Sequence, residues 1–179
     1  MTETRHTHRT KQITQPEIMK LGRREQQFYL WYFIVHIPIT VFIDSSVVIP
    51  PKWQLGAAQR VVNDHIAKQH DFLLSEKPEW LYWFVLLELV MQLPLFGYFV
   101  GKLWNLNQLQ VNTDTKLKTW LRIYGWNASL TTLVCIIVIF QRGYIPYDVL
   151  RTSLTMTQKC QLASVYLPTF LIPLRLCLV

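Results

Sequence analysis

FYLWYFIVHIPITVFIDSSVVI, residues 28–49, is the stretch whose reading decides the fold. It contains one acid, one histidine and no lysine or arginine, and it is long enough to cross a hydrocarbon core of about 30 Å as a helix. Three more blocks of the same kind follow, over about residues 80–100, 121–140 and 161–179. A bilayer offers no water to backbone N–H and C=O groups, so each block is expected to be a helix. The predicted fold class is an all-α membrane protein, a four-transmembrane-helix bundle. Residues 28–179 form the transmembrane domain, and residues 1–27 form a polar, disordered N-terminus.

Composition agrees with this reading. Hydrophobic residues make up 51% of the 179 and charged residues only 16%, where a soluble domain carries about 25% charged. The net charge of +7 would suggest nucleic acid in a soluble protein. Here the basic residues lie between apolar blocks, which points to the lipid bilayer and not to nucleic acid. Ten of the 18 Lys and Arg residues precede the first block or join the second to the third, and seven lie in the other two connections. This bias predicts that both termini are cytosolic. Aromatic residues at the block ends, among them Tyr29, Trp31, Tyr32, Trp80 and Trp104, are expected at the membrane interfaces. Leu55, Ala58, Val61, Val62 and Ile66 recur at helical spacing and predict an amphipathic helix in the first connection. Cys135, Cys160 and Cys177 form neither a disulfide framework nor a metal motif and are read as packing residues.

The candidate site residues are those that lipid would reject. His36, Thr40 and Asp44 are spaced by four and share one helix face. Glu88 and Gln92 share another, with Glu88 near mid-membrane. An acid inside a span costs about 2.5–3.5 kcal/mol and normally faces a bundle interior. Two carboxyls in one low-dielectric pocket rarely both ionise, so Asp44 and Glu88 would share a proton. Asp44 could alternatively reach the interface from the end of its span. His36 reads equally well as a proton carrier and as a histidine bonded between helices. No metal site and no cofactor are expected. Pro38, Pro94, Pro168 and Pro173 could kink the spans and open a cavity, or serve packing alone.

Three motifs in order add a resemblance. YFIVHIPITVFIDSSVVIP (32–50), EKPEWLYWFVLLELVMQLPLF (76–96) and LASVYLPTFLIPL (162–174) resemble helices one, two and four of the sigma-2 receptor branch of the EXPERA family, which also holds the emopamil-binding sterol isomerase. The resemblance implies a multi-pass endoplasmic reticulum membrane protein that binds a sterol or a hydrophobic amine. It implies Asp44 as the partner of a cationic amine and Glu88 as a protonated neighbour. His36, Gln92, Tyr124, Thr132 and Val165 match cavity-lining positions. Thr169 stands where the family has Tyr, so that wall should be wider. Asp71 matches a structural loop acid. A non-enzymatic regulator of lipid, or of mitochondrial precursor handling, is the expected function, and a sterol isomerase is the alternative. A homodimer and protein partners at the endoplasmic reticulum or in mitochondrial targeting accompany that resemblance.

Overall fold

The computed structural model describes residues 21–179, and the first 20 residues of the N-terminal segment lie outside it. Helices α1 (Arg23–Phe42), α2 (Gly56–Gln69), α3 (Phe72–Glu76), α4 (Glu79–Leu87), α5 (Leu93–Asn105), α6 (Gln108–Thr113), α7 (Thr115–Arg142) and α8 (Met156–Leu176) follow in chain order. Residues 23–27, read from sequence as part of the polar N-terminus, are instead the first turns of α1.

Among the described residues, three helical segments are long and apolar enough to cross a membrane: Arg23–Val47, Glu79–Asn105 and Thr115–Arg142. The fourth expected span is helical and 21 residues long, but Lys159, Gln161, Arg175 and two prolines hold it below the apolarity of the others. It packs closely against α7 along its length. Among the described residues the chain is thus all-helical, with three helices of the length and apolarity to cross a membrane.

Local chemistry explains the ends. Asp114 caps α7 by accepting from Leu117 N at 3.0 Å, and Thr155 and Gln158 form a capping box at α8. Between α4 and α5 the helix widens into one π turn, Glu88–Gln92, with Leu93 N donating to Glu88 O. Pro94 follows directly. It has no N–H and would clash with the carbonyl four residues back, which the wider turn relieves. The helix α2 forms as expected, with Val62 and Ile66 buried, but Leu55 and Val61, read onto the same apolar face, are exposed.

Two apolar clusters fill the bundle. One joins Tyr29, Phe33, Phe96, Phe99, Leu121 and Tyr124. The other joins Val47, Val62, Leu81, Val85, Cys135 and Leu162. Tyr29 and Tyr32 are thus interior residues rather than interface markers: Tyr29 is buried and donates to Ile172 O at 3.0 Å. Trp31, one residue away, is exposed as expected of a belt residue. Cys135 is buried and Cys177 half-buried, whereas Cys160 is exposed and contributes no packing.

α7 meets α8 at Gly125, where an added Cβ would lie 2.7 Å from Pro173 O and 3.1 Å from Cys177 N. Backbone cannot yield as a side-chain tip can. Gly125→Ala should therefore destabilise the protein by about 1–3 kcal/mol. Gly101→Ala, with nothing within 4 Å of the new Cβ, should not destabilise it. Thermal unfolding in detergent checks the contrast.

The α7–α8 connection turns on Asp148, whose carboxylate accepts from Leu150 N and Thr152 N, each at 3.0 Å. The Thr152 hydroxyl first, and then these amides, hold the carboxyl below its ordinary range. Since the folded value is the lower one, the stabilisation is present above the unfolded value of about 3.9 and lost as pH falls through the folded value. Hydrogen-exchange protection at Leu150 and Thr152 should drop on acidification, and Asp148→Asn should abolish that dependence.

Candidate ligand site

The polar residues of the spans form one layer between the two apolar clusters. On α1, His36 and Thr40 follow Phe33 by the step that keeps them on the inner face, and both are buried. α1 then stops: Ser45 Oγ donates to Val41 O at 2.5 Å, and Asp44–Val47 forms a 3-10 turn. Asp44 thus sits on this turn rather than on the helix. Two donors clamp the turn from below. Lys77 Nζ donates to Ser46 O at 2.5 Å, and Gln54 Nε2 donates to the same oxygen at 3.1 Å and to Ile49 O at 2.6 Å. Burial pushes the Lys77 ammonium below its ordinary range.

Glu88 opens the π turn and meets the α1 stripe. Thr40 Oγ1 donates to Glu88 Oε1 at 2.9 Å, and His36 Nε2 lies 3.7 Å from the same oxygen. One ligand atom each from His36, Asp44 and Glu88 fall within 4.8 Å of one another. The two acids and the histidine thus lie together in the structure. A cation would find one nitrogen and two carboxylate oxygens there, although Glu88 Oε1 already accepts from Thr40.

The layer continues across the bundle. Tyr32 and Tyr124 share a hydroxyl–hydroxyl bond of 2.9 Å, and the Tyr32 ring stacks on His36 with centroids 5.1 Å apart. Gln92 Nε2 donates to Asn127 Oδ1 at 2.7 Å. His36, Asp44, Glu88, Gln92, Tyr124, Thr132 and Thr169 all line a recess of about 140 Å³. Val165 does not. It lines a groove of about 630 Å³ between α1 and α8, beside Trp31 and Val35. Tyr32, His36, Asp44, Tyr166 and Thr169 border both spaces, so recess and groove adjoin.

Asp71 lies outside the polar layer, at 0% exposure. Its Oδ1 caps α3 by accepting from Leu73 N and Leu74 N at 3.0 and 3.1 Å. Its Oδ2 accepts from Tyr166 Oη at 2.8 Å and lies 3.2 Å from His65 Nε2. One carboxylate thereby ties α2, α3 and α8. Three pairings here are not told by the sequence: Thr40 as the donor to Glu88, Tyr32 as the ring stacked on His36, and Tyr166 as the partner of Asp71. The spacing of four places Thr40 on the stripe, but nothing in sequence shows which side chain meets it.

The order of polar positions and the three motifs can now be set beside known proteins. Residues 57–179 match the family model described as EXPERA, the expanded EBP superfamily. The chain belongs to the EXPERA family. It is 85% identical over 161 residues to the Saccharomyces cerevisiae "Efficient mitochondria targeting-associated protein 19", covering 90% of this chain and 100% of the yeast protein. It is 30% identical over 152 residues to the Homo sapiens "Sigma intracellular receptor 2", covering 79% of this chain and 78% of that protein. The Xenopus tropicalis receptor of the same name is 28% identical over 166 residues, 88% of each chain. The chain is thus an EXPERA membrane protein related to the sigma-2 receptor and to a mitochondria-targeting-associated protein.

Asp71→Ala should destabilise the protein by about 1 kcal/mol for the lost cap and about 1–3 kcal/mol more for the orphaned Tyr166 hydroxyl. Tyr166→Phe in the same background should restore part of the second loss. A double-mutant cycle on unfolding midpoints checks this coupling.

Proposed function

We propose that this chain is an endoplasmic reticulum protein that binds sterol-like or cationic amphiphilic ligands within the membrane, through Asp44 and Glu88. The observation that carries the reading is the convergence of Asp44, Glu88 and His36 within 4.8 Å, in a recess that adjoins an apolar groove between α1 and α8. A ligand's charged or hydroxyl end fits the recess. Its apolar body fits the groove, where Trp31, Val35 and Val165 offer hydrocarbon contact. In this reading α8 is the fourth spanning helix, both termini are cytosolic, and residues 28–179 form the binding domain.

The biological role follows as that of a non-enzymatic regulator of lipid, or of mitochondrial precursor handling at the endoplasmic reticulum. The name of the yeast relative supports the second of these. An isomerase is the second reading, favoured by the same cluster: a histidine 3.7 Å from a carboxyl, with a second carboxyl in reach, could give a proton to a double bond and remove a neighbouring one.

Asp44→Asn keeps the shape and removes the counter-charge. Losing one partner of a buried charge pair costs about 2–5 kcal/mol, so a cationic amine ligand should bind roughly thirtyfold or more weakly at about 1.4 kcal/mol per tenfold. Glu88→Gln should do less harm, because Gln still accepts from Thr40. A neutral sterol should be much less sensitive to Asp44→Asn. Radioligand and sterol binding on folded variants test this, and equal amine affinity in wild type and Asp44→Asn would remove Asp44 from the site. Double-bond migration in a sterol incubated with the purified protein would favour the isomerase.

A further inference from the structure

The α7–α8 connection takes no part in the recess, yet it is built with care. Tyr144 and Ser153 pair in an isolated antiparallel bridge. Ile145 N donates to Thr152 O and Leu154 N to Gly143 O, each at 2.9 Å. Inside this frame the Asp148 carboxylate takes up the amides of Leu150 and Thr152. Tyr147 and Arg151 both adopt the left-handed region, at φ 64 and 49. For a bulky residue such a conformation is strained, and it persists only where surrounding contacts enforce it.

Apolar side chains stand outward from this frame. Tyr147 is 79% exposed, Val149 96% and Leu150 86%. Clustered apolar residues on a rigid frame mark a contact surface. Pro146 and Tyr147 border a cleft with Asn63, Ile66 and His70 of α2. One flank of the hairpin therefore leans on α2, and Val149 and Leu150 point away from it.

Two observations identify what meets the tip. The first is continuity with the lipid-facing surface. The hairpin leaves α7 just after the exposed Ile137 and Phe140 and joins α8 at the exposed Met156. The second is charge. The acid of the tip, Asp148, is consumed by the hairpin's own amides, while Arg142 and Arg151 are exposed cations. Arg151 also reaches Glu76 Oε1 at 3.4 Å, and Lys159 Nζ donates to Phe140 O at 2.8 Å. Apolar tips backed by arginines fit the boundary where phosphates overlie acyl chains.

We propose that residues 147–150 form a second, interfacial membrane contact, inserted at the headgroup–acyl boundary at the α7–α8 end of the molecule. The test uses the full chain in vesicles of phosphatidylcholine and phosphatidylglycerol. Cys160→Ser removes the exposed thiol and, alone, gives the labelling background. Val149→Cys is added for a fluorophore, with Asp64→Cys on the exposed side of α2 as the aqueous control. Lipids with a nitroxide near the headgroup should quench the Val149→Cys label at least about twofold more than the control, and iodide should quench it less. Should Val149→Cys not fold, Leu150→Cys reads the same tip. Iodide access equal to that of the control, without lipid quenching, would overturn the proposal and leave the tip to a protein partner.

Discussion

A carboxyl group in the middle of a bilayer must find its hydrogen-bond donors in the protein. Glu88 takes its donor from Thr40 of α1, with His36 3.7 Å away, and much of the architecture follows. α1 has to present one polar stripe inward. The second span has to bring Glu88 to that stripe, and its π turn sets the position of both Glu88 and Gln92. The layer so formed draws on every long helix: His36 on α1, Glu88 and Gln92 at the π turn, Thr132 on α7 and Thr169 on α8 line one recess. Apolar clusters close it above and below. A polar layer with apolar seals on both sides suits an amphiphile that arrives from lipid rather than from water.

The rest of the molecule fixes that layer in place. α7 and α8 approach closely enough at Gly125 that a methyl group would strike backbone. Ser129 Oγ and Tyr29 Oη donate to Phe170 O and Ile172 O of α8, which ties a helix carrying two prolines to its neighbours. At one mouth of the bundle, Asp71 fastens α2 and α3 to Tyr166. Lys77 and Gln54 hold the turn that carries Asp44. The two acids therefore rest on different supports: Glu88 on side chains inside the bundle, Asp44 on a turn clamped from its rim.

Much of this was legible in the residues. Apolar length marks α1, the second span and α7, and the spacing of four at 36, 40 and 44 foretells the stripe. Periodicity likewise announces α2. What stayed hidden has physical reasons. The π turn depends on a clash between Pro94 and the helix behind it, not on any periodicity. Tyr29 and Tyr32 carry the composition of an interface belt, and only the rotation of α1 turns them inward while leaving Trp31 outside. Val165 and Thr169 are four apart on α8, yet one faces the groove and the other also borders the recess. That difference rests on how α8 is seated in the bundle, which the spacing of four does not tell. α8 itself is less apolar than the block read over 161–179, because the helix starts at Met156 and takes in Gln158 and Lys159.

The central claim is that the buried layer holds an amphiphile. Mass spectrometry of lipids that remain with the purified protein tests it most directly, comparing wild type with the Asp44→Asn, Glu88→Gln double variant. The account predicts a defined sterol-like or cationic amphiphile retained by wild type and depleted in the variant, with bulk phospholipid equal in both. Identical retained lipids in the two proteins would contradict it.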